Sequence, residues 1–296
     1  MNRLTGIVLV AISAAAFGTL GILGRYAYAD GMDALTIMAL RFSLAALVLL
    51  ALLAARREPL PRGRSLMLLV GMGAIGYVGQ AFCYLTALKY ASPGLVTLLL
   101  YLYPVFVAIL SAIFLHEPIT RRKALILGVA LVGLALTAGP AGGQWVGVVL
   151  AISAAVIYSV YILVGAGVMR RVSATRSSAV IFTSAGAMSC LLMGINGPHP
   201  PATASGWAVI GAMVIIATVV PVVAFLAGLA RIGPTNAAMI STLEPVVAVA
   251  LSALLLGETL EPVTLLGGAL ILVAVLLLAR DELRRSEPAQ TTREAV

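Results

Sequence analysis

Ten apolar runs of about twenty residues, parted only by short stretches rich in charge, glycine or proline, constrain this chain more than any other feature. Some 20 residues is the helical length that crosses roughly 30 Å of hydrocarbon. The runs fall near residues 5–26, 33–54, 65–88, 93–115, 122–139, 145–168, 174–194, 205–229, 234–256 and 262–279. The expected fold is therefore all-α and polytopic, with ten transmembrane helices. A composition 61% hydrophobic and 10% charged agrees, because it lies far from the balance of a soluble domain. The first run, Leu4 to Leu23, exceeds the core of a signal peptide, so it reads as a span in spite of the Ala27-Tyr28-Ala29 that follows.

The runs form two sets of five. Ala11-Ile12-Ser13-Ala14-Ala15 reappears as Ala151-Ile152-Ser153-Ala154-Ala155, 140 positions on (151 − 11). An offset of 141 lays Pro93 on Pro234, Pro104-Val105 on Pro245-Val246, Leu110-Ser111-Ala112 on Leu251-Ser252-Ala253, and Glu117 on Glu258. The expected organisation is a first repeat at 1–139, a linker at 140–144, a second repeat at 145–280 and a cytoplasmic tail at 281–296. Five spans is an odd number, so the second repeat enters the membrane from the opposite side, and the two are expected to be related by inverted topology, an arrangement that can open a midplane site alternately to either side.

Charge sets the orientation. Arg3, Arg56, Arg57, Arg62, Arg64, Arg121, Arg122, Lys123, Arg170, Arg171, Arg176, Arg231, Arg280, Arg284, Arg285 and Arg293 fall on the side of the N-terminus, sixteen of the nineteen basic residues. Only Arg25 and Lys89 fall opposite, with Arg41 inside the second run. The positive-inside rule then places both termini in the cytoplasm. The same clustering between spans argues against nucleic acid as a partner, despite a formal charge of +8. Cys83 and Cys190 lie within apolar runs and read as packing residues.

Ala39-Leu40-Arg41-Phe42-Ser43-Leu44, the turn Ala87-Leu88-Lys89-Tyr90-Ala91-Ser92-Pro93, and Leu243-Glu244-Pro245-Val246 followed by Gly257-Glu258 resemble the EamA-type members of the drug/metabolite transporter superfamily over residues 5–280. Within it the chain is most similar to the YddG-type exporters. That resemblance implies a bacterial inner-membrane carrier that moves aromatic and other neutral amino acids outward, with a cavity lined by the first, third, fourth, sixth, eighth and ninth helices.

Of the eleven acidic residues, Glu244 alone stands near the middle of a span. A charge there costs at least roughly 2.5–3.5 kcal/mol, so such groups face a cavity or a partner and often mark ion or substrate pathways. Glu244 is expected to bind a substrate ammonium, to couple protons, or to rest protonated between helices. Arg41, about 12 Å into its helix at 1.5 Å per residue, is expected to snorkel to the outer interface. Tyr77, Gln80 and Tyr84 share one helical face; Thr97, Tyr101 and Pro104 share another; Tyr158 and Tyr161 share a third. Buried tyrosine hydroxyls among apolar walls suit a cavity that must release its cargo. Phe17, Thr218 and Met239, on spans that the resemblance places around the cavity, complete the candidate lining. Tyr26, Tyr28 and Tyr90 sit at span ends and read as interfacial.

Pro104, Pro221 and Pro245 are candidate hinges. Gly18, Gly21, Gly24, Gly71, Gly73, Gly76 and Gly79 are expected to let helices approach closely. His116 and His199 stand singly, no nucleophile and base are paired, and no phosphate-cradling glycine loop occurs, so neither an enzyme nor an ATP-driven pump is expected. The expectation is a carrier for small amphipathic metabolites, without cofactor or metal, working as a monomer in the bilayer. Cationic drugs are the alternative cargo, and a lipid-handling or interaction protein the alternative class.

Overall fold

The structure is a computed structural model and describes residues 3–91, 93–137, 143–256 and 261–284. In chain order the helices are α1 (Arg3–Ala29), α2 (Ala34–Ala55), α3 (Gly63–Ala87), α4 (Leu95–Phe114), α5 (Arg121–Thr137), α6 (Trp145–Val168), α7 (Ala174–Ile195), α8 (Ala204–Ile232), α9 (Pro234–Leu255) and α10 (Pro262–Arg284). Nine of those described are long and apolar enough to cross a membrane. α5 is shorter, with 17 residues. Asp33 starts α2 by accepting from the Thr36 N–H at 2.9 Å, and Thr203 starts α8 by accepting from the Gly206 N–H at 3.0 Å. Ile75, Leu125, Ile195 and Leu254 are each more than two-thirds exposed. Such an apolar shell suits acyl chains rather than water.

The helices pair across the two halves. α1 packs on α8, α3 on α6, α2 on α7, and α5 on α10. Exchanging α1–α5 for α6–α10 carries the first pair onto the second and leaves the other two pairs unchanged. Partners run antiparallel. Thr36, at the start of α2, accepts from the N–H of His199 beyond the end of α7, while Ser43 further along meets Cys190 at 3.5 Å. At the start of α5, Arg122 pairs with Asp281 at the end of α10 at 2.7 Å. The expectation of a tail from 281 therefore needs correction: the helix continues to Arg284, and the buried Asp281 belongs to the bundle. The Gly257-Glu258 motif, linker residues 140–142 and the tail beyond 284 lie outside the described residues.

Five breaks interrupt the rods. α1 turns at Gly18 and Thr19, α4 at Tyr101 and Leu102, and α9 tightens into a 3₁₀ turn at Ser241–Leu243. α3 and α8 each carry a π turn, at Met72–Tyr77 and Ile215–Val219. Pro104, Pro221 and Pro245 are each the second residue of the helical piece after a break. A missing N–H is harmless there, since the first-turn donors have no intrahelical acceptor. α3 breaks without a proline.

The glycines divide. A Cβ on Gly73 would run into the Ser184 hydroxyl and the Ile181 carbonyl oxygen, and one on Gly18 would lie 2.9 Å from Val247. Gly76 faces Tyr161 at 3.3 Å, and Gly79 comes only within 4.0 Å of Ile157. Gly21, Gly24 and Gly71 have nothing within 4 Å, so the expectation of close approach fails for these three.

Candidate functional site

Aromatic rings run in an unbroken series across the seam between the halves. Phe42, fully buried on α2, stacks at 6.2 Å on Phe182 of α7 and meets Tyr77 of α3 edge-on at 5.0 Å. Tyr77 lies 5.9 Å from Tyr161, which lies 5.9 Å from Tyr158, one turn away on α6. Tyr158 meets Tyr103 at 4.8 Å, and Tyr103 stands 5.9 Å from Tyr101. Edge-on and offset contacts of this kind hold rings in fixed orientations.

An ionisable group closes each end. The Arg41 guanidinium lies 4.5 Å above the Phe42 ring. At the other end the Glu244 carboxyl group lies beside Tyr101. The 3₁₀ turn at Ser241–Leu243 makes Glu244 the first residue of a new helical piece. A mid-span position thereby becomes a helix N-terminus, where free N–H groups and the macrodipole favour a carboxylate. Tyr77, Tyr84, Tyr158 and Glu244 are half-buried.

The structure brings together most of the residues named from sequence. Tyr77, Tyr101, Tyr158, Tyr161 and Glu244 belong to the series, and Tyr84 approaches Thr97 at 3.5 Å beside it. Phe17 packs against the core, and Gln80 is half-buried one turn from Tyr77. Two candidates are corrected. Thr218 is fully buried and donates to the Met213 carbonyl at 2.8 Å, supporting the π turn. Met239 lines a separate space of about 20 Å³ with Glu117, Lys123 and Thr235.

Arg41 is also corrected. It is 7% exposed and held over an aromatic face, rather than extended to the interface. Tyr26, Tyr28 and Tyr90, by contrast, are exposed at span ends. Sequence reasoning missed Phe42, Phe182 and Tyr103 as neighbours of the series. One signal was present: Phe42 and Phe182 are 140 positions apart (182 − 42), the repeat interval, and so occupy equivalent places.

An apolar groove of about 550 Å³ opens between α2, α3 and α7, lined by residues such as Leu50, Leu66, Val70 and Leu191. None of the candidate residues lines it. Outside the spans, Asp30 at the end of α1 accepts from the Thr203 hydroxyl and from the N–H groups of Ala202 and Thr203. These bonds, the hydroxyl's first, hold its carboxyl below the ordinary aspartate value.

The EamA-like transporter family matches this sequence twice, over residues 4–139 and 145–280. An uncharacterized transporter of Bacillus subtilis (strain 168), YcbK, is 25% identical over 276 residues, covering 88% of each chain. An uncharacterized transporter of Archaeoglobus fulgidus is 26% identical over 276 residues, covering 93% of this chain and 97% of the relative. Among solved structures, one described only as the crystal structure of a protein superposes with a TM-score of 0.82 at 21% identity. It covers 97% of this chain and 100% of its own.

Proposed function

Because the chain belongs to the EamA-like transporter family, we propose that it is a secondary carrier exporting aromatic and other neutral amino acids by alternating access. The observation that carries this reading is the aromatic series with a cation at one end and a carboxylate at the other. Aromatic walls match an aromatic side chain, and Glu244 matches an ammonium.

All ten helices span the membrane in this reading, α5 included, as two inverted repeats. The antiparallel pairing of equivalent helices supports the inversion. So do the loops. The α1–α2 connection carries Asp30 and Asp33, whereas its counterpart between α6 and α7 carries Arg170 and Arg171, as expected when the two face opposite sides. Both termini then lie in the cytoplasm of a bacterial cell, with the protein in the inner membrane. The breaks before Pro104, Pro221 and Pro245 are where α4, α8 and α9 would bend as the site changes sides.

The test is uptake of a labelled panel of neutral and aromatic amino acids into proteoliposomes, with and without an imposed pH gradient. Saturable flux is expected, strongest for the aromatic members. Loss of only the pH-driven part in Glu244→Gln would assign coupling to that carboxylate. Absence of flux for every amino acid, in folded protein, would sink the substrate assignment. Flux of organic cations alone would replace it.

A further inference from the structure

Arg41 is an unusual residue to find in this place. It is 7% exposed within an apolar helix, and its Nε makes no hydrogen bond. A buried cation on a spanning helix is costly and normally pairs with a carboxylate of its own chain. The two acids nearest in sequence are engaged elsewhere, Asp30 with Ala202 and Thr203, and Asp33 with the Thr36 N–H. Among the described residues no ion pair to Arg41 is present.

Packing does not explain the residue either. Ala34 and Ala174, the first residues of α2 and α7, are 140 positions apart (174 − 34), so Arg41 is equivalent to Ile181 (41 + 140). Ile181 is fully buried. An aliphatic side chain thus serves the same place in the same frame. The guanidinium lies over Phe42, which meets the partly exposed Tyr77 edge-on.

From this geometry we infer that Arg41 is a binding residue for the carboxylate of the transported solute, held bidentately above Phe42 at the opposite end of the aromatic series from Glu244. The planar fork of arginine suits a carboxylate, and a site short of water strengthens the contact. The substrate class narrows to compounds that carry a carboxylate beside an aromatic or apolar body, zwitterions among them. This deepens the proposed function and rests on that reading for the identity of the zwitterion, but not for the carboxylate.

Calorimetric titration of the purified full chain with three probes tests it. Tyrosine carries both charges, 3-(4-hydroxyphenyl)propionate only the carboxylate, and tyramine only the ammonium. Arg41→Gln is expected to weaken tyrosine and the propionate by roughly 10- to 100-fold, the range for a charge-assisted contact, and to leave tyramine within about twofold. Arg41→Lys, which keeps the charge without the fork, should fall between, and it reads the same difference if the glutamine variant does not fold. Equal weakening of tyrosine and tyramine, or unchanged tyrosine affinity, would overturn the inference while leaving amino-acid transport intact. Propionate binding without tyrosine binding would uphold Arg41 and remove the amino-acid reading. Wild-type protein that takes only tyramine, or none of the three, would overturn both.

Discussion

Where α6 crosses α4, Tyr158 and Tyr103 meet ring to ring at 4.8 Å; where α1 crosses α9, the equivalent places hold Gly18 and Glu244. The crossings correspond through the repeat intervals, 140 for Gly18 and Tyr158 and 141 for Tyr103 and Glu244. At the second crossing the missing side chain lets α1 close on α9: a Cβ on Gly18 would stand 3.1 Å from the Glu244 carbonyl oxygen. One crossing therefore supplies rings and the other a carboxylate. The same asymmetry separates Arg41 from Ile181, and the Asp30 loop from the Arg170 loop. The halves share a frame, while the residues of the candidate site differ between equivalent positions.

The largest expected effect concerns the frame. Gly73 presses α3 into α7, whereas Gly211, four residues before the π turn of α8, has nothing within 4 Å. Gly73→Ala should cost about 1–3 kcal/mol through overpacking against the Ile181 backbone, read as a lower thermal midpoint and a poorer yield of monodisperse protein in detergent. Gly211→Ala should change neither. Comparable behaviour of the two would break the contrast between the seams.

Phe42 and Phe182 give the next test, because they are equivalent, fully buried and stacked, yet only Phe42 supports Arg41. Phe42→Leu and Phe182→Leu should lower thermal stability by similar amounts, on the order of 1–2 kcal/mol. Amino-acid affinity should fall several-fold further in Phe42→Leu. Equal transport in the two variants would show that the ring under Arg41 has no special role.

The smallest effect belongs to the Asp30 loop. A carboxyl held below its ordinary value contributes stability that is present above the unfolded aspartate pKa, about 3.9, and is lost as pH falls through the lower folded value. Thermal midpoints of wild type and Asp30→Asn should therefore differ slightly near neutrality and converge in acid. A gap that widens on acidification would contradict the hydrogen-bond account.

The apolar runs were legible because lipid forces each spanning helix to be long, apolar and internally bonded, whatever its neighbours. Repetition was legible through Ala11–Ala15 and the paired prolines. Arg41 was misread because the ring beneath it, Phe42, is held by Tyr77 and Phe182 on other helices, a long-range placement that spacing along α2 does not encode. Tyr103 escaped notice because the break at Tyr101–Leu102 resets the helical phase, so a face counted from Thr97 no longer continues past it. Thr218 was placed in the cavity although the π turn uses its hydroxyl internally, and no simple sequence signal marks such turns.

The most direct test of one internal site served from both sides is counterflow: vesicles holding the purified chain and a high concentration of unlabelled tyrosine, diluted into a trace of labelled tyrosine. The account predicts transient accumulation of label above its equilibrium level, lost in Glu244→Gln or Arg41→Gln or slowed in proportion to their weakened binding. Label that only equilibrates, at the same rate with or without internal tyrosine, would contradict it and point to a passive pore.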